Sequence, residues 1–207
     1  MRSLRSVVAP LAGALALLSA PAAIAGKKER PPEVQVGFVA AGELAAPDGS
    51  GVLEAGGVKV RVREVFGIAR ALWIHELTGS SSDPFEVVRD GKPAFRTFSV
   101  EIENGGPSTV LFNSAFVALK FGDSRKFPHG FGELYRVLSA TIPDEAQLSR
   151  LAAVLEETSI SVAPGAAAHK LLVFTGVSGA KSLELEVDGI VAGVDEVPMR
   201  VRFVRPK

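Results

Sequence analysis

The amino-acid sequence predicts an all-β protein built as an antiparallel β-sandwich, with one short helix around residues 143–157. Two observations predict this class. Clusters of Gly, Pro, Asn and Asp, which are typical of turns, divide the chain into short segments. Several of these segments alternate apolar and charged side chains, as strands do when one sheet face is buried and the other is solvated. The clearest four are 58–62, 98–102, 183–187 and 199–203.

The first 25 residues have the pattern of a secretory signal peptide. Arg2 and Arg5 provide the positive start, an apolar run at 7–18 follows, and Ala23-Ile24-Ala25 fits the small-x-small pattern of a cleavage site. The run of about 12 residues is shorter than the roughly 20 that a membrane-spanning helix needs. We therefore expect cleavage and export to a periplasm or out of the cell, with no transmembrane span in the mature protein. An uncleaved anchor is the alternative.

The rest of the chain is expected to be a linker at 26–33 followed by one sandwich domain at 34–207. A domain of this length can bury a core without disulfides, and the chain contains no cysteine. Basic and acidic residues are equal in number, 23 each, which argues against a nucleic-acid binder. Loss of Arg2 and Arg5 with the signal peptide would leave the mature chain slightly acidic.

Three further segments are predicted strands. Residues 34–39 form the first, and 110–121 hold one or two strands with an interruption near Asn113. Residues 170–175 are apolar on both faces, so we place them in the middle of a sheet. Residues 66–77 fit the spacing of both a helix and a strand, and we favour a strand because the neighbouring segments are strands.

The one predicted helix begins after Thr141, where a hydroxyl, an early proline and acidic residues are typical of a helix N-terminus. Apolar residues then recur at helical spacing and form a single stripe, at Leu148, Leu151, Ala152 and Leu155. We expect this stripe to cover an open end of the sandwich. The alternative is a helix that binds a partner.

Three pieces of the second half of the chain occur in a characteristic order. A strand at 98–104 runs into a Gly-Gly-Pro turn, a strand at 160–163 ends in Pro164-Gly165, and the run 170–174 (KLLVF) follows. This order resembles the exported bacterial immunoglobulin-like (telokin-like) domains of unknown function, over about half of the chain. The resemblance implies an immunoglobulin-like sandwich and a location in the cell envelope. It implies no catalytic residue.

No motif in the sequence commits the chain to a chemistry. The three histidines, His75, His129 and His169, are too far apart for the short ligand spacings of a zinc site. Neither the Gly-x-Ser-x-Gly pentapeptide of serine hydrolases nor a phosphate-binding loop occurs. We expect no cofactor, no metal and no catalytic residue. The alternative is an envelope metal-binding or hydrolytic enzyme that uses one or more of these histidines.

Residues 122–135 are the first candidate for contact with a partner, because the segment is long for a connection between strands. It sets aromatic side chains among glycines and charges, a composition suited to an adaptable contact surface. The candidates are Phe127, His129, Phe131 and Tyr135. The alternative is that Phe127 and Phe131 fix the segment to the core.

Basic side chains on two predicted strands are the second candidate. Arg61 and Arg63 lie on one strand, and Arg200 and Arg202 lie on another. If these strands adjoin, they make a surface for an anionic envelope polymer or an acidic partner. If each lies beside an acidic strand, the same residues form cross-strand ion pairs.

These observations predict an exported, non-catalytic interaction or structural module of the cell envelope. Its partner would be a protein or an envelope polymer. A further option is a subunit of an envelope fibre or secretion complex that donates an edge strand to its neighbour.

Overall fold

Antiparallel strands are the main element of the computed structural model, which describes residues 37–89, 92–155, 159–177 and 179–206. The predicted signal peptide and linker lie outside the described residues, as does 34–36 at the start of the predicted first strand. The strands are, in chain order, β1 Val39–Ala41, β2 Gly51–Ala55, β3 Val58–Val65, β4 Val88–Arg89, β5 Lys92–Pro93, β6 Phe95–Asn104, β7 Val110–Phe112, β8 Val117–Phe121, β9 Ser124–Lys126, β10 Ile160–Val162, β11 Ala167–Thr175, β12 Ser182–Val187, β13 Ile190–Ala192, β14 Asp195–Glu196 and β15 Met199–Val204. The helices are α1 Gly67–Thr78, α2 Phe131–Thr141 and α3 Glu145–Leu155, with one turn of 3₁₀-helix at Ser114–Phe116.

The strands form three larger sheets and one small hairpin. Sheet I has five strands in the order β1-β15-β12-β8-β9, and sheet II has four in the order β11-β6-β3-β2. Sheet III has the order β10-β7-β13-β14, and β4 pairs with β5. All of these pairs are antiparallel among the described residues.

Sheets I and II pack face to face around an apolar core. Alternate side chains of each strand point into it, such as Val60 and Val62 of β3 and Leu183 and Leu185 of β12. This arrangement confirms the predicted class, an antiparallel β-sandwich. All four segments that alternate in the sequence are strands of these two sheets, namely β3, β6, β12 and β15.

Sheet III continues sheet I beyond an interruption of the strand pairing. The pair β8–β12 ends at Val117, and the pair β7–β13 resumes at Phe112, with the 3₁₀ turn between them. The Asn113 N–H donates to the Gly189 carbonyl at 2.8 Å, and a Cβ on Gly189 would lie 2.1 Å from the Asn113 oxygen. Only glycine fits this approach of two backbones. The predicted interruption within 110–121 is confirmed.

A second apolar core lies on the outer face of sheet II, beneath the helices. In β11, Leu172 and Phe174 point into the sandwich, whereas Leu171 and Val173 point into the helical cluster. The prediction that 170–175 lies in the middle of a sheet is wrong, because β11 is an edge strand. Its two apolar faces reflect the helical layer above it rather than a central position in the sheet.

The predicted helix around 143–157 is confirmed as α3. Its stripe, Leu148, Leu151 and Leu155, is buried in the helical cluster against β11. It therefore covers the outer face of sheet II rather than an open end of the sandwich. None of the described helices is both long enough and apolar enough to cross a membrane.

Residues 66–77 are helical, as α1, so the favoured strand is wrong. The face that α1 buries carries Arg70, Ile74 and Thr78, while Ile68 and Leu72 are exposed. Such a helix has no apolar stripe for a periodicity argument to detect. Gly79 ends it in a left-handed conformation at φ +75°, which glycine adopts without strain.

Helix α2, like α1, is not predicted from the sequence, since the one predicted helix corresponds to α3. Leu134 and Leu138, four residues apart, are buried in the helical cluster, and Phe131 and Val137 pack at its border. The fold is thus a β-sandwich with a third, helical layer on sheet II.

Candidate functional site

The segment 122–135 is partly regular structure, and it gathers the four residues predicted for partner contact. Strand β9 leads into a short connection that carries Phe127 and His129, and α2 then begins with Phe131. The Phe131 and Tyr135 rings meet edge to face with centroids 5.8 Å apart. We call Phe127, His129, Phe131 and Tyr135 the α2 surface.

The aromatic side chains of the α2 surface differ in exposure. Phe127 is 56% exposed and Tyr135 is 53% exposed, whereas Phe131 is half-buried at the border of the helical cluster. The Arg125 guanidinium lies 5.4 Å from the centre of the Phe127 ring. Phe131 therefore fixes the segment to the core, and Phe127 faces solvent beside a cation.

His129 connects the start of α2 to the end of β11. Its backbone N–H donates to the Val173 carbonyl at 2.7 Å. Its ring Nε2 lies 2.7 Å from the Thr175 hydroxyl oxygen, and its Nδ1 lies 3.2 Å from a Glu133 carboxylate oxygen. The same carboxylate accepts the Gly130 N–H at 3.2 Å. His129 is thus held at three points, one on its backbone and two on its imidazole ring.

The roles of the two ring nitrogens of His129 depend on its tautomer. In the tautomer that carries the proton on Nδ1, that N–H is on the side of the Glu133 carboxylate, which only accepts hydrogen bonds. Nε2 is then an acceptor, and the Thr175 hydroxyl donates to it. This order, from hydroxyl to imidazole to carboxylate, is the arrangement in which a histidine can take a proton from an alcohol.

A lysine and three glycines lie close in sequence or in space to Thr175, His129 and Glu133. Lys126 Nζ lies 3.9 Å from the Cβ position of Gly176, the residue that follows Thr175. The first turn of α2 has no side-chain cap, because Gly130 occupies the N-cap position. Gly132 in that turn faces open space, with no atom within 4 Å of its Cβ position.

The other two histidines lie on different elements. His75, on α1, has its Nδ1 3.1 Å from the Ser80 carbonyl oxygen. His169, on β11, has its Nδ1 4.0 Å from Glu101. Within the described ranges, no group of three His, Asp or Glu side chains is placed to hold a metal ion.

The structure places Arg61 and Arg63 on β3 and Arg200 and Arg202 on β15, which belong to different sheets. Both strands turn their apolar residues inward, so the arginines lie on opposite outer faces of the sandwich. Each strand lies beside an acidic one: Arg61 is opposite Glu101, and Arg202 is opposite Glu184. The condition for a joint basic surface, two adjoining basic strands, is not met.

On sheet II, Arg61 lies 2.7 Å from Asp48 and 3.8 Å from Glu101. Hydrogen bonds from the Ser50 hydroxyl and backbone N–H, with the nearby Arg61 charge, hold the pKa of Asp48 below its ordinary value. Arg63 is exposed and opposite Ser99.

On sheet I, Glu186 is the centre of a cluster of three cations. Lys120, Arg125 and Arg200 lie 2.6, 3.2 and 3.2 Å from its carboxylate, whose side chain is 7% exposed. The hydrogen bond from Lys120 and then the three positive charges lower the pKa of Glu186. Arg200 also pairs with Asp188, and that bond raises the pKa of Arg200 above its ordinary value.

The sequence analysis names the four residues of the α2 surface as candidates but neither Glu133 nor Thr175, the two side chains that contact the His129 ring. Glu133 follows His129 by four residues, a spacing that brings two side chains together once a helix begins between them. Thr175 is 46 residues away in sequence and meets His129 only because α2 packs beside β11. The four-residue spacing of Leu134 and Leu138 is the sequence signal for this helix, and therefore for the contact between His129 and Glu133.

The chain matches no family model and no curated protein, but it has a structural neighbour among solved proteins. Among solved structures, the chain is similar to the yjhA protein from Bacillus subtilis, with a TM-score of 0.41 and 13% sequence identity. The match covers 75% of this chain and 96% of that one.

Proposed function

We propose that the protein is an exported interaction module of the cell envelope that binds an acidic partner through the α2 surface. The observation that carries the proposal is the exposure of Phe127, beside Arg125, and of Tyr135 on the helix that follows. Aromatic and arginine side chains dominate the energetics of binding surfaces, and here two exposed aromatic rings and an arginine lie on one short stretch of the chain.

The α2 surface is held in place before any partner arrives. Leu134 and Leu138 anchor the helix from below, and His129 ties its start to β11. A surface that is already ordered loses little conformational entropy on binding, which favours affinity. This supports a binding role for the exposed rings over a flexible loop that happens to carry aromatic residues.

The charges around the rings favour an acidic partner. The cations Arg125, Lys126 and Arg136 are exposed near the aromatic side chains, against the acids Asp123 and Glu133. Part of the positive charge of Arg125 is already engaged by Glu186, 3.2 Å away. The remaining excess is small, so we expect electrostatics to orient the partner and the rings to provide most of the affinity.

Export is part of the proposal and rests on the sequence pattern of the first 25 residues. The immunoglobulin-like resemblance supports a place in the envelope in the same way. N-terminal sequencing of the protein from fractionated cells tests it. A mature chain beginning at Gly26 outside the cytoplasm is expected, whereas an uncleaved chain in the cytoplasm contradicts export.

Binding is tested with immobilised protein and solubilised envelope material from the same cells. The double variant Phe127→Ser/Tyr135→Ser removes both exposed rings, and Val194→Ser, at a turn residue that is 94% exposed, is the matched control. We expect the double variant alone to lose bound material, and raised salt to weaken what binds the wild type, because an acidic partner is screened. Equal capture by all three proteins contradicts the proposal.

A further inference from the structure

The side chains of Thr175, His129 and Glu133 form a hydroxyl–imidazole–carboxylate triple at the edge of the α2 surface. From this geometry we infer that Thr175 is a nucleophile activated by His129, which gives the protein acyl-transfer activity towards carboxylic esters. The inference goes beyond the proposed binding role and departs from the non-catalytic expectation of the sequence.

The distances meet the requirement for an activated alcohol. A nucleophile and its base must lie within about 2.6–3.2 Å, with a third group orienting the base. The Thr175 oxygen and His129 Nε2 are 2.7 Å apart, and His129 Nδ1 and Glu133 are 3.2 Å apart. Glu133 is itself held by the Gly130 N–H, so the carboxylate that orients the ring is also oriented.

The site is open to a small molecule. The His129 side chain is 31% exposed and Thr175 is half-buried, so the triple lies at the protein surface. The first turn of α2 also carries Gly132, which has no atom within 4 Å of its Cβ position.

The reaction balances with an ester and water. The Thr175 oxygen bonds to the acyl carbon while its proton passes to His129 Nε2. The ester C–O bond then breaks, and His129 returns the proton to the departing alcohol. Water, deprotonated by Nε2, attacks the acyl-threonine and releases the carboxylic acid with the free hydroxyl. Lys126, near Gly176, favours esters that carry negative charge.

The test uses the purified protein and p-nitrophenyl acetate, with acetyl adducts located by peptide mass spectrometry. We expect acetylation at residue 175 in the wild type and in Thr175→Ser, and its absence in Thr175→Val, which keeps the shape but lacks the hydroxyl. Two controls retain wild-type rates: Thr141→Val, at another half-buried threonine, and His169→Ala. Circular dichroism and urea unfolding verify that each variant folds.

His129→Ala is expected to slow acetylation of Thr175 by about 100-fold or more, as the loss of a general base does. Glu133 is a positioning residue, because it acts through His129. Glu133→Gln keeps an oxygen for the Gly130 N–H but loses the charge, so we expect a slower rate and a changed pH–rate profile. A contact that only holds the helix would leave that profile unchanged.

The inference is overturned if a folded wild type shows no adduct at Thr175 and releases p-nitrophenol no faster than Thr175→Val. An adduct that persists at wild-type rate in His129→Ala also overturns it. Neither result bears on the binding proposal, which is measured by capture through Phe127 and Tyr135 and needs no chemistry at Thr175.

Discussion

Arg70 and Asp83 form a buried ion pair in the helical layer. The Arg70 Nε lies 2.7 Å from the Asp83 carboxylate, and their side chains are 6% and 2% exposed. Arg70 Nη1 reaches the Thr97 hydroxyl at 3.4 Å, and Asp83 also accepts the Phe85 N–H at 2.9 Å. Helix α1 buries this pair while it exposes Ile68 and Leu72.

Asp83→Asn keeps an acceptor for the Phe85 N–H, but it removes the charge and replaces the oxygen that faces Arg70 with an NH2 group. Arg70 is then a buried cation without its counter-ion, and the loss of one partner of such a pair costs about 3–5 kcal/mol. With a urea m-value of about 2 kcal/mol/M, the unfolding midpoint falls by about 2 M. Equilibrium urea unfolding followed by circular dichroism measures this shift.

The double variant Arg70→Met/Asp83→Asn removes the cation as well. Because replacing a whole buried ion pair with uncharged groups is often close to neutral, we expect it to recover most of the stability that Asp83→Asn loses. A double variant no more stable than Asp83→Asn would refute the reasoning, since the loss would then arise from packing or from the Phe85 contact rather than from an unpaired charge.

Three further predictions concern the sandwich. Phe174→Ala opens a cavity beside Phe98, whose ring centroid is 5.9 Å away, and should lower the free energy of unfolding by about 3–5 kcal/mol in urea melts; a loss below about 1 kcal/mol would contradict the core assignment. Gly189→Ala forces a methyl group against the Asn113 carbonyl and should lower the free energy of unfolding by about 3 kcal/mol. Gly132→Ala, in open space on α2, should raise it by up to about 1 kcal/mol. Equal thermal midpoints for the two variants would contradict this packing. The pKa of Glu186 is lowered in the folded state, so its ionised carboxylate stabilises the fold at pH values above the unfolded pKa, near 4.5. That contribution is lost as the pH falls through the folded pKa, so the difference in unfolding free energy between wild type and Glu186→Gln should shrink from pH 7 to pH 3. A constant difference would exclude the ionised carboxylate as its cause.

The sandwich could be predicted from the sequence because period-two alternation reports directly which side of a strand is buried. Strands β3 and β12 show it plainly, with valine or leucine inward and charges outward. The same logic failed for β11, whose apolar residues face two different cores. A pattern of buried positions does not reveal whether a sheet or a helix does the burying.

The helical layer was harder to predict for a physical reason. Helix α1 turns Arg70 and Thr78 inward, and their polar groups are satisfied by Asp83 and by the Ile74 carbonyl. Once hydrogen bonding and ion pairing permit polar residues in the interior, the apolar stripe disappears from the sequence. The run of good helix formers at 68–77, followed by Gly79, is the signal that remained.

The candidate site divides along the same line. Phe127 and Tyr135 are named as candidates from the sequence because aromatic residues are conspicuous in a polar, glycine-rich segment. The contacts of His129 with Glu133 and Thr175 depend on where α2 begins and on its packing against β11. Contacts set by tertiary structure carry no local signature.

Site-specific photo-crosslinking in intact cells tests the central claim, that the α2 surface is where the partner binds. A photoreactive amino acid replaces Tyr135 in one protein and Val194 in another, since both residues are exposed. The account predicts a discrete crosslinked product from position 135 that is absent from position 194 and is diminished by Arg125→Glu. The same product from both positions, or from position 194 alone, would contradict it.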